Sequence, residues 1–259
     1  MEIPIFQVDA FSSSVFSGNP AAVCPLEEWL PDATLQAIAA ENNLAETAYF
    51  VPNGNAFHLR WFTPVCEVDL CGHATLASAH VLFEELKAPG EVLRFATKSG
   101  ELVVKRDGDL LSMNFPSWPP ARIDPDPRIA AALGGNPVEI LASRDFLARY
   151  NSAADVRALS PDMEALKSIG GFAFIATAPG TDCDFVSRFF APSQGIPEDP
   201  VTGSAHCTLI PYWAGELGKT NLHAKQISRR GGELFCKLAG DRVEIAGQTA
   251  LFLKGKIVI

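Results

Sequence analysis

Two stretches of the chain carry almost no polar face. From Gly72 onward, Ala74, Leu76, Ala77, Ala79, Val81, Leu82, Phe83 and Leu86 place apolar side chains all round a helix. From Gly203 onward, Ala205, Cys207, Leu209, Ile210, Tyr212, Trp213 and Leu217 do the same, with a kink expected at Pro211. A helix that is apolar on every side has to be buried on every side. Elsewhere alternation and β-branched or aromatic runs predict strands. In the first half these are Ile3–Asp9, Glu46–Val51, Phe57–Phe62, Arg94–Thr97, Leu102–Arg106 and Leu110–Phe115. In the second they are Val138–Leu141, Phe172–Thr177, Phe185–Phe190, Gln226–Ser228, Leu234–Leu238, Val243–Ile245 and Leu251–Ile259. Asp107-Gly108 signals a hairpin turn, and Ser12–Pro20, rich in Ser, Gly and Asn, a loop. Many strands with so few helices predict, in each half, a sheet curled round one buried helix.

The pattern also repeats itself. Pro31-Asp32 precedes a helical run (Leu35, Ile38, Ala39), and Pro161-Asp162 precedes another (Met163, Leu166, Ile169). Arg60-Trp61-Phe62-Thr63-Pro64 is echoed by Arg188-Phe189-Phe190-Ala191-Pro192, and Gly72-His73-Ala74-Thr75 by Gly203-Ser204-Ala205-His206. All three echoes stand about 130 residues apart, close to half of the 259-residue chain, and they keep the same order. An internal duplication follows, with residues 1–118 as the first α+β half and 119–259 as the second. Part of the C-terminal strand is free to cross back to the first half. The crossing is expected in the proline-rich stretch Arg122–Pro137, with Pro119, Pro120, Pro125, Pro127 and Pro137 in or beside it.

Charge and cysteine content then narrow the function classes. Asp plus Glu number 30 against 21 Lys plus Arg, for a formal net charge of −9. No basic cluster exceeds Arg229-Arg230, so neither a nucleic-acid footprint nor a polybasic face for anionic lipid is present. The weakly polar stretch Ile169–Pro179 is too short to span a bilayer. The start, Met1-Glu2-Ile3-Pro4-Ile5-Phe6, has no basic n-region or cleavable apolar segment, and a cytoplasmic protein is expected. The 6 cysteines form no CxxC pair and the 5 histidines no HExxH, so free thiols and no metal are expected.

The chemistry is expected at the two helix starts. The first N–H groups of a helix lack intrahelical partners and carry partial positive charge, and glycine lets a ligand approach the backbone closely. Two such ends, at Cys71-Gly72-His73 and Thr202-Gly203-Ser204, facing one cleft would hold a small carboxylate. Glu46, at the mouth of an apolar strand, is a candidate general base, and its other reading is a solvated strand-start glutamate. His73 is a proton shuttle or a satisfied structural histidine, Ser204 a site residue or a helix cap, and Asp199 a site residue or a turn opener. A two-thiol racemase would need a cysteine opposite Cys71. The repeat places Thr202 there and Cys207 one turn too deep, so Cys71 reads as a small buried hydrophobe. Gly203-Ser204-Ala205-His206 lacks the Gly-x-Ser-x-Gly elbow of serine hydrolases.

Longer motifs carry a resemblance. Phe16-Ser17-Gly18-Asn19-Pro20-Ala21-Ala22-Val23, Glu41-Asn42-Asn43-Leu44-Ala45-Glu46-Thr47, Arg60-Trp61-Phe62-Thr63-Pro64 with Cys71-Gly72-His73-Ala74-Thr75, and Gly195-Ile196-Pro197-Glu198-Asp199-Pro200-Val201-Thr202-Gly203-Ser204-Ala205 together resemble the PhzF family of phenazine biosynthesis isomerase-like proteins. The resemblance implies a diaminopimelate-epimerase-like α+β fold of two pseudo-symmetric halves, each a β-barrel-like sheet around a central helix. It implies an active site in the cleft between the halves, no cofactor, no metal and a homodimer. In the phenazine enzyme trans-2,3-dihydro-3-hydroxyanthranilate is isomerised by moving a proton between ring carbons. The family's acid/base glutamate falls on Glu46 and its other polar positions on His73, Asp199 and Ser204. Gly72 and Gly203 fall where backbone amides hold the substrate carboxylate, with His73 and Ser204 beside them. The expected function is thus a cofactor-independent proton-moving isomerase of a small carboxylate. Two alternatives share its site: an epimerase or racemase of an amino or hydroxy acid, and a non-catalytic binding module.

Overall fold

The computed structural model describes residues 1–124 and 126–259; Pro125, one of the prolines expected at the crossing, lies outside the described residues. The chain forms two compact units, Met1–Asn114 with Ala246–Ile259, and Phe115–Ile245. The division therefore falls a few residues before the expected 118/119 boundary, and the end of the chain belongs to the first unit. The reason is strand pairing: Thr249–Val258 runs antiparallel along the N-terminal strand, from Thr249 opposite Ala10 to Val258 opposite Glu2.

The first unit holds β1 (Glu2–Ala10), β2 (Asn19–Pro25), α1 (Asp32–Asn42), β3 (Glu46–Asn53), β4 (Ala56–Phe62), β5 (Glu67–Val68), α2 (Gly72–His80), β6 (Val92–Thr97), β7 (Gly100–Asp107) and β8 (Leu110–Pro116). The strands that neighbour α2 are β1, β2, β3, β7 and Thr249–Val258, so the sheet wraps this helix. Every residue from His73 to Ala79 is buried, as an all-round apolar helix requires. Beyond His80 the helix widens into a π-helical turn, Val81–Glu85.

The second unit holds β9 (Ala121–Arg122), α3 (Pro127–Leu133), β10 (Glu139–Ala142), β11 (Phe146–Arg149), α4 (Ala153–Ala158), α5 (Met163–Ile169), β12 (Phe174–Pro179), β13 (Phe185–Ala191), β14 (Ile196–Asp199), α6 (Gly203–Leu217), β15 (Asn221–Gln226) and β16 (Gly232–Ala239), with β17 (Arg242–Gly247) leading to β18, the strand Thr249–Val258. Pro211 sits inside α6. The helix packs on β15 and β16, and Trp213 stacks on Phe185 of β13 while its indole N–H donates to Thr177 of β12.

The duplication is visible in strand order and direction. In the first unit β2 is parallel to β3, β3 antiparallel to β4, β4 parallel to β6 and β6 antiparallel to β7. In the second, β11, β12, β13, β15 and β16 repeat those four relations in the same order. A side-chain fork repeats too. Arg60 on β4 reaches both carboxylate oxygens of Glu67 at 2.8 and 3.0 Å, and Arg188 on β13 those of Glu198 at 2.7 and 2.9 Å.

Some elements differ from expectation. The strand expected at Gln226–Ser228 lies earlier, at Asn221–Gln226, where Leu222, Ala224 and Gln226 alternate inward. That segment lacks β-branched residues, and its last inward position is polar, so its alternation is masked. Strands β2 and β11 and the short helices α3 and α4 were also not expected; each is brief or opens beside loop-like residues, where local signals are weak.

Candidate active site

Glu46 opens β3, opposite Ala21 of β2, and Thr47–Val51 behind it are buried. The carboxylate is accordingly withdrawn from water: its side chain is 12% exposed and that of His73 8%. Its reading as a solvated strand-start residue is thereby corrected. Cys71 is the N-cap of α2 in an extended conformation, so the chain turns directly from strand-like backbone into helix. Thr75 donates through both its backbone N–H (3.2 Å) and its hydroxyl (2.6 Å) to the Cys71 carbonyl and fixes that first turn.

This turn carries His73 to Glu46. His73 Nε2 lies 3.0 Å from Glu46 Oε2, an ion-pair distance, although the oxygen is buried and its angles do not meet those of an aligned hydrogen bond. Cys71 Sγ lies 3.5 Å from Nδ1 of the same ring and 4.0 Å from Nε2. Cys71 is thus buried, as expected, but it is a polar neighbour of His73 rather than a plain hydrophobe.

Burial sets opposing pulls on the three groups. It pushes the Glu46 carboxyl up, but the charge and hydrogen bonding of His73, with a contribution from Cys71, carry it below its ordinary value. Burial pulls His73 down, and the neighbouring Cys71 and Glu46 outweigh it, so the imidazole rises well above its ordinary value. The Cys71 thiol is pushed up to about 11 by burial first and by the Glu46 charge second, and therefore stays protonated near neutrality. With the thiol neutral, the charge that holds the His73 proton is the Glu46 carboxylate. The cluster near neutrality is a carboxylate, an imidazolium and a thiol.

The second unit presents the other expected residues. Asp199 ends β14 and accepts from the Thr202 hydroxyl at 2.5 Å. Gln226, fully buried, accepts from the Thr202 N–H at 2.9 Å and donates to the Asp199 carbonyl at 2.8 Å. These bonds brace the loop that opens α6. The N-cap is Thr202, without a side-chain capping bond, so Ser204 is not the cap. Its hydroxyl instead accepts from Arg144 Nη2 at 3.1 Å. Arg144 also forks onto buried Asp145 and lies over the rings of Trp118 and Phe172. Gly72 and Gly203 are the first residues of α2 and α6, as the motifs implied.

The structure therefore gathers Glu46 with His73 in one unit and Asp199 with the head of α6 in the other. Sequence reasoning missed Gln226 and Arg144, which lie far along the chain from the loop they hold and belong to no motif. The absence of CxxC and HExxH spacing says nothing of the cluster Glu46, Cys71 and His73, whose three donors come from two separate segments. A cavity of about 270 Å³ in the first unit, lined by His80, Phe83, Glu84, Arg106, Leu111 and Thr249 among others, shares no residue with this cluster. No helix among the described residues is long and apolar enough to cross a membrane.

Comparison with known proteins shows the family. The profile of the phenazine biosynthesis-like protein family (PhzC-PhzF) matches residues 8–255. An uncharacterized isomerase of Pseudomonas aeruginosa is 52% identical over 258 residues, covering 99% of each chain. The crystal structure of a PhzF-family protein of Enterococcus faecalis superposes with a TM-score of 0.99 at 47% identity, covering 100% of both chains. A hydroxyproline epimerase of Agrobacterium vitis shares the fold alone, at a TM-score of 0.62 and 12% identity over 99% of this chain and 92% of that one. The chain belongs to the phenazine biosynthesis-like PhzC-PhzF family, has its α+β fold, and falls in the isomerase class.

Proposed function

We propose that this protein moves a proton between carbons of a small carboxylate substrate by general acid/base catalysis, with Glu46 as the base and His73 as its acid partner. The observation that carries the reading is the buried Glu46–His73 pair at the head of α2. Its electrostatics leave the carboxylate ionised and the imidazole charged near neutrality, so one group is ready to accept a proton and the other to donate one.

The substrate carboxylate docks at the positive end of α2, where Gly72 allows close approach. Glu46 takes a C–H proton α or vinylogous to that carboxylate, and the electron pair of the C–H bond passes into the conjugated system. The proton then returns to a different carbon. One proton is removed and one restored, with the protonated Glu46 carboxyl exchanging with solvent in between, so the step needs no oxidant and no group donor. Asp199, Ser204 and Gly203 are further proposed site residues, each tested by single substitution in the assay below. Homodimerisation and a cytoplasmic place of action belong to the same proposal and rest on the family resemblance alone.

The test is NMR in D2O with a panel of cyclic and α-substituted carboxylates. Deuterium entering at a shifted carbon, and lost in Glu46→Gln with ligand binding retained, is the expected result. Exchange at one carbon with inversion would make the protein an epimerase. Exchange undiminished in Glu46→Gln removes Glu46 from its role, and binding without any exchange leaves a non-catalytic module.

A further inference from the structure

Glu46, Cys71 and His73 present a carboxylate oxygen, a sulfur and an imidazole nitrogen that all lie within 4.8 Å of one another. Carboxylate, thiolate and imidazole are donors that zinc accepts, and three protein donors with an open fourth position is the arrangement of sites that admit water or a solute. Zinc bonds of about 2.0–2.1 Å to nitrogen or oxygen and about 2.3 Å to sulfur set tetrahedral donors roughly 3.4–3.6 Å apart. The Nε2–Oε2 distance of 3.0 Å and the Sγ–Nε2 distance of 4.0 Å bracket that spacing. A second observation points the same way: Glu46 Oε2 is buried, has no hydrogen bond of aligned geometry, and faces into the triangle toward Nε2.

We propose that this triangle is a binding site for a thiophilic divalent cation, zinc in the first instance, and that the cation competes with proton transfer for the same side chains. The competition, though not the site, rests on the isomerase reading above. On binding, the Cys71 S–H bond breaks, its proton leaves to solvent and the sulfur lone pair goes to the metal. The imidazolium of His73 loses its Nε2 proton in the same way, and Glu46 binds as the carboxylate it already is. The buried charge is conserved. Carboxylate, thiol and imidazolium sum to zero without metal, and carboxylate, thiolate, neutral imidazole and a divalent cation sum to zero with it. With its charge committed to the metal, Glu46 is too weak a base to take a C–H proton.

The test is anaerobic titration of the chelator-treated full chain with cobalt(II), read by absorbance, with zinc displacement. One equivalent is expected to give a thiolate-to-cobalt charge-transfer band and tetrahedral d–d bands, with affinity rising about tenfold per pH unit for each proton released. Cys71→Ser should abolish the charge-transfer band; serine suits a helix N-cap, and circular dichroism checks that the fold is kept. Glu46→Gln should retain the band but weaken binding by about tenfold or more. Cys66→Ser, at the exposed cysteine, should change neither. No band in the unsubstituted protein, a band surviving Cys71→Ser, or a band lost in Cys66→Ser overturns the site. Zinc should stop deuterium exchange in the same samples, and exchange untouched by bound zinc overturns the competition. A Cys71-dependent band in a protein that exchanges no substrate sustains the metal site and brings down the isomerase reading with the competition.

Discussion

Glu46, the first residue of a strand, and His73, the second residue of a helix, meet at 3.0 Å with both side chains nearly out of solvent. Each holds the other in its charged form against the pull of burial, and this mutual dependence gives the site a pH signature.

For the proposed reaction, kcat/KM should form a broad plateau. Its acid limb should lie below the ordinary glutamate value of 4.5, where Glu46 gains a proton, and its alkaline limb above the ordinary histidine value of 6.5, where His73 loses one. His73→Gln should remove the alkaline limb. A pH series of initial exchange rates checks both, and an alkaline limb at or below 6.5 contradicts the pairing.

A second histidine should act on stability in acid. His206 is fully buried, donates from Nδ1 to the Thr202 carbonyl at 2.8 Å, and is held down to about 4 by desolvation. Between its unfolded value near 6.5 and 4, the unfolded chain binds a proton that the folded chain refuses. Stability therefore rises with pH across that window and is lost as pH falls through it, by about 3 kcal/mol for this group. Urea midpoints measured from pH 7 to 4 should fall less steeply in His206→Gln than in the unsubstituted protein. Equal slopes would remove His206 from the acid response.

Gln226→Leu should cost about 2–4 kcal/mol, because the Thr202 N–H and the Asp199 carbonyl both lose a buried partner. Urea unfolding measures the cost. The associated loosening should appear as chemical-shift changes from Asp199 to Ser204, and a loss below about 0.5 kcal/mol would show the brace to be dispensable.

Gly18→Ala should also destabilise, by about 2–4 kcal/mol. Gly18 has φ +69°, and a Cβ there would stand 2.2 Å from the Ala10 carbonyl oxygen. The same substitution at Gly54, φ +59° with open space around it, isolates the steric part. Equal melting losses in the two variants would mean that the clash relaxes away.

Much of the architecture was legible in the residues. The all-round apolar runs at Gly72 and Gly203 could only be buried helices, and three echoes at one spacing announced the duplicated topology that β2–β7 and β11–β16 display. Strand β15 lies earlier than its sequence signal because its inward positions are Leu222, Ala224 and Gln226, a pattern whose polar member reads as an end rather than as part of the face. The candidate site was legible one residue at a time. Glu46 is ambiguous between a solvated and a poised carboxylate, Ser204 between cap and site, and Cys71 between an acid/base thiol and a small buried hydrophobe.

Sequence by itself determined which helices are central, that the chain is doubled, and which motifs place it in its family, because periodicity and spacing are properties of the chain read in order. Tertiary structure alone decided that Glu46 is desolvated, that Cys71 and His73 share its company, and that Arg144 and Gln226 hold the head of α6. Those facts depend on residues far apart in the chain arriving within a few ångströms. Charge, desolvation and hydrogen bonding act over such distances in space, whatever the separation in sequence.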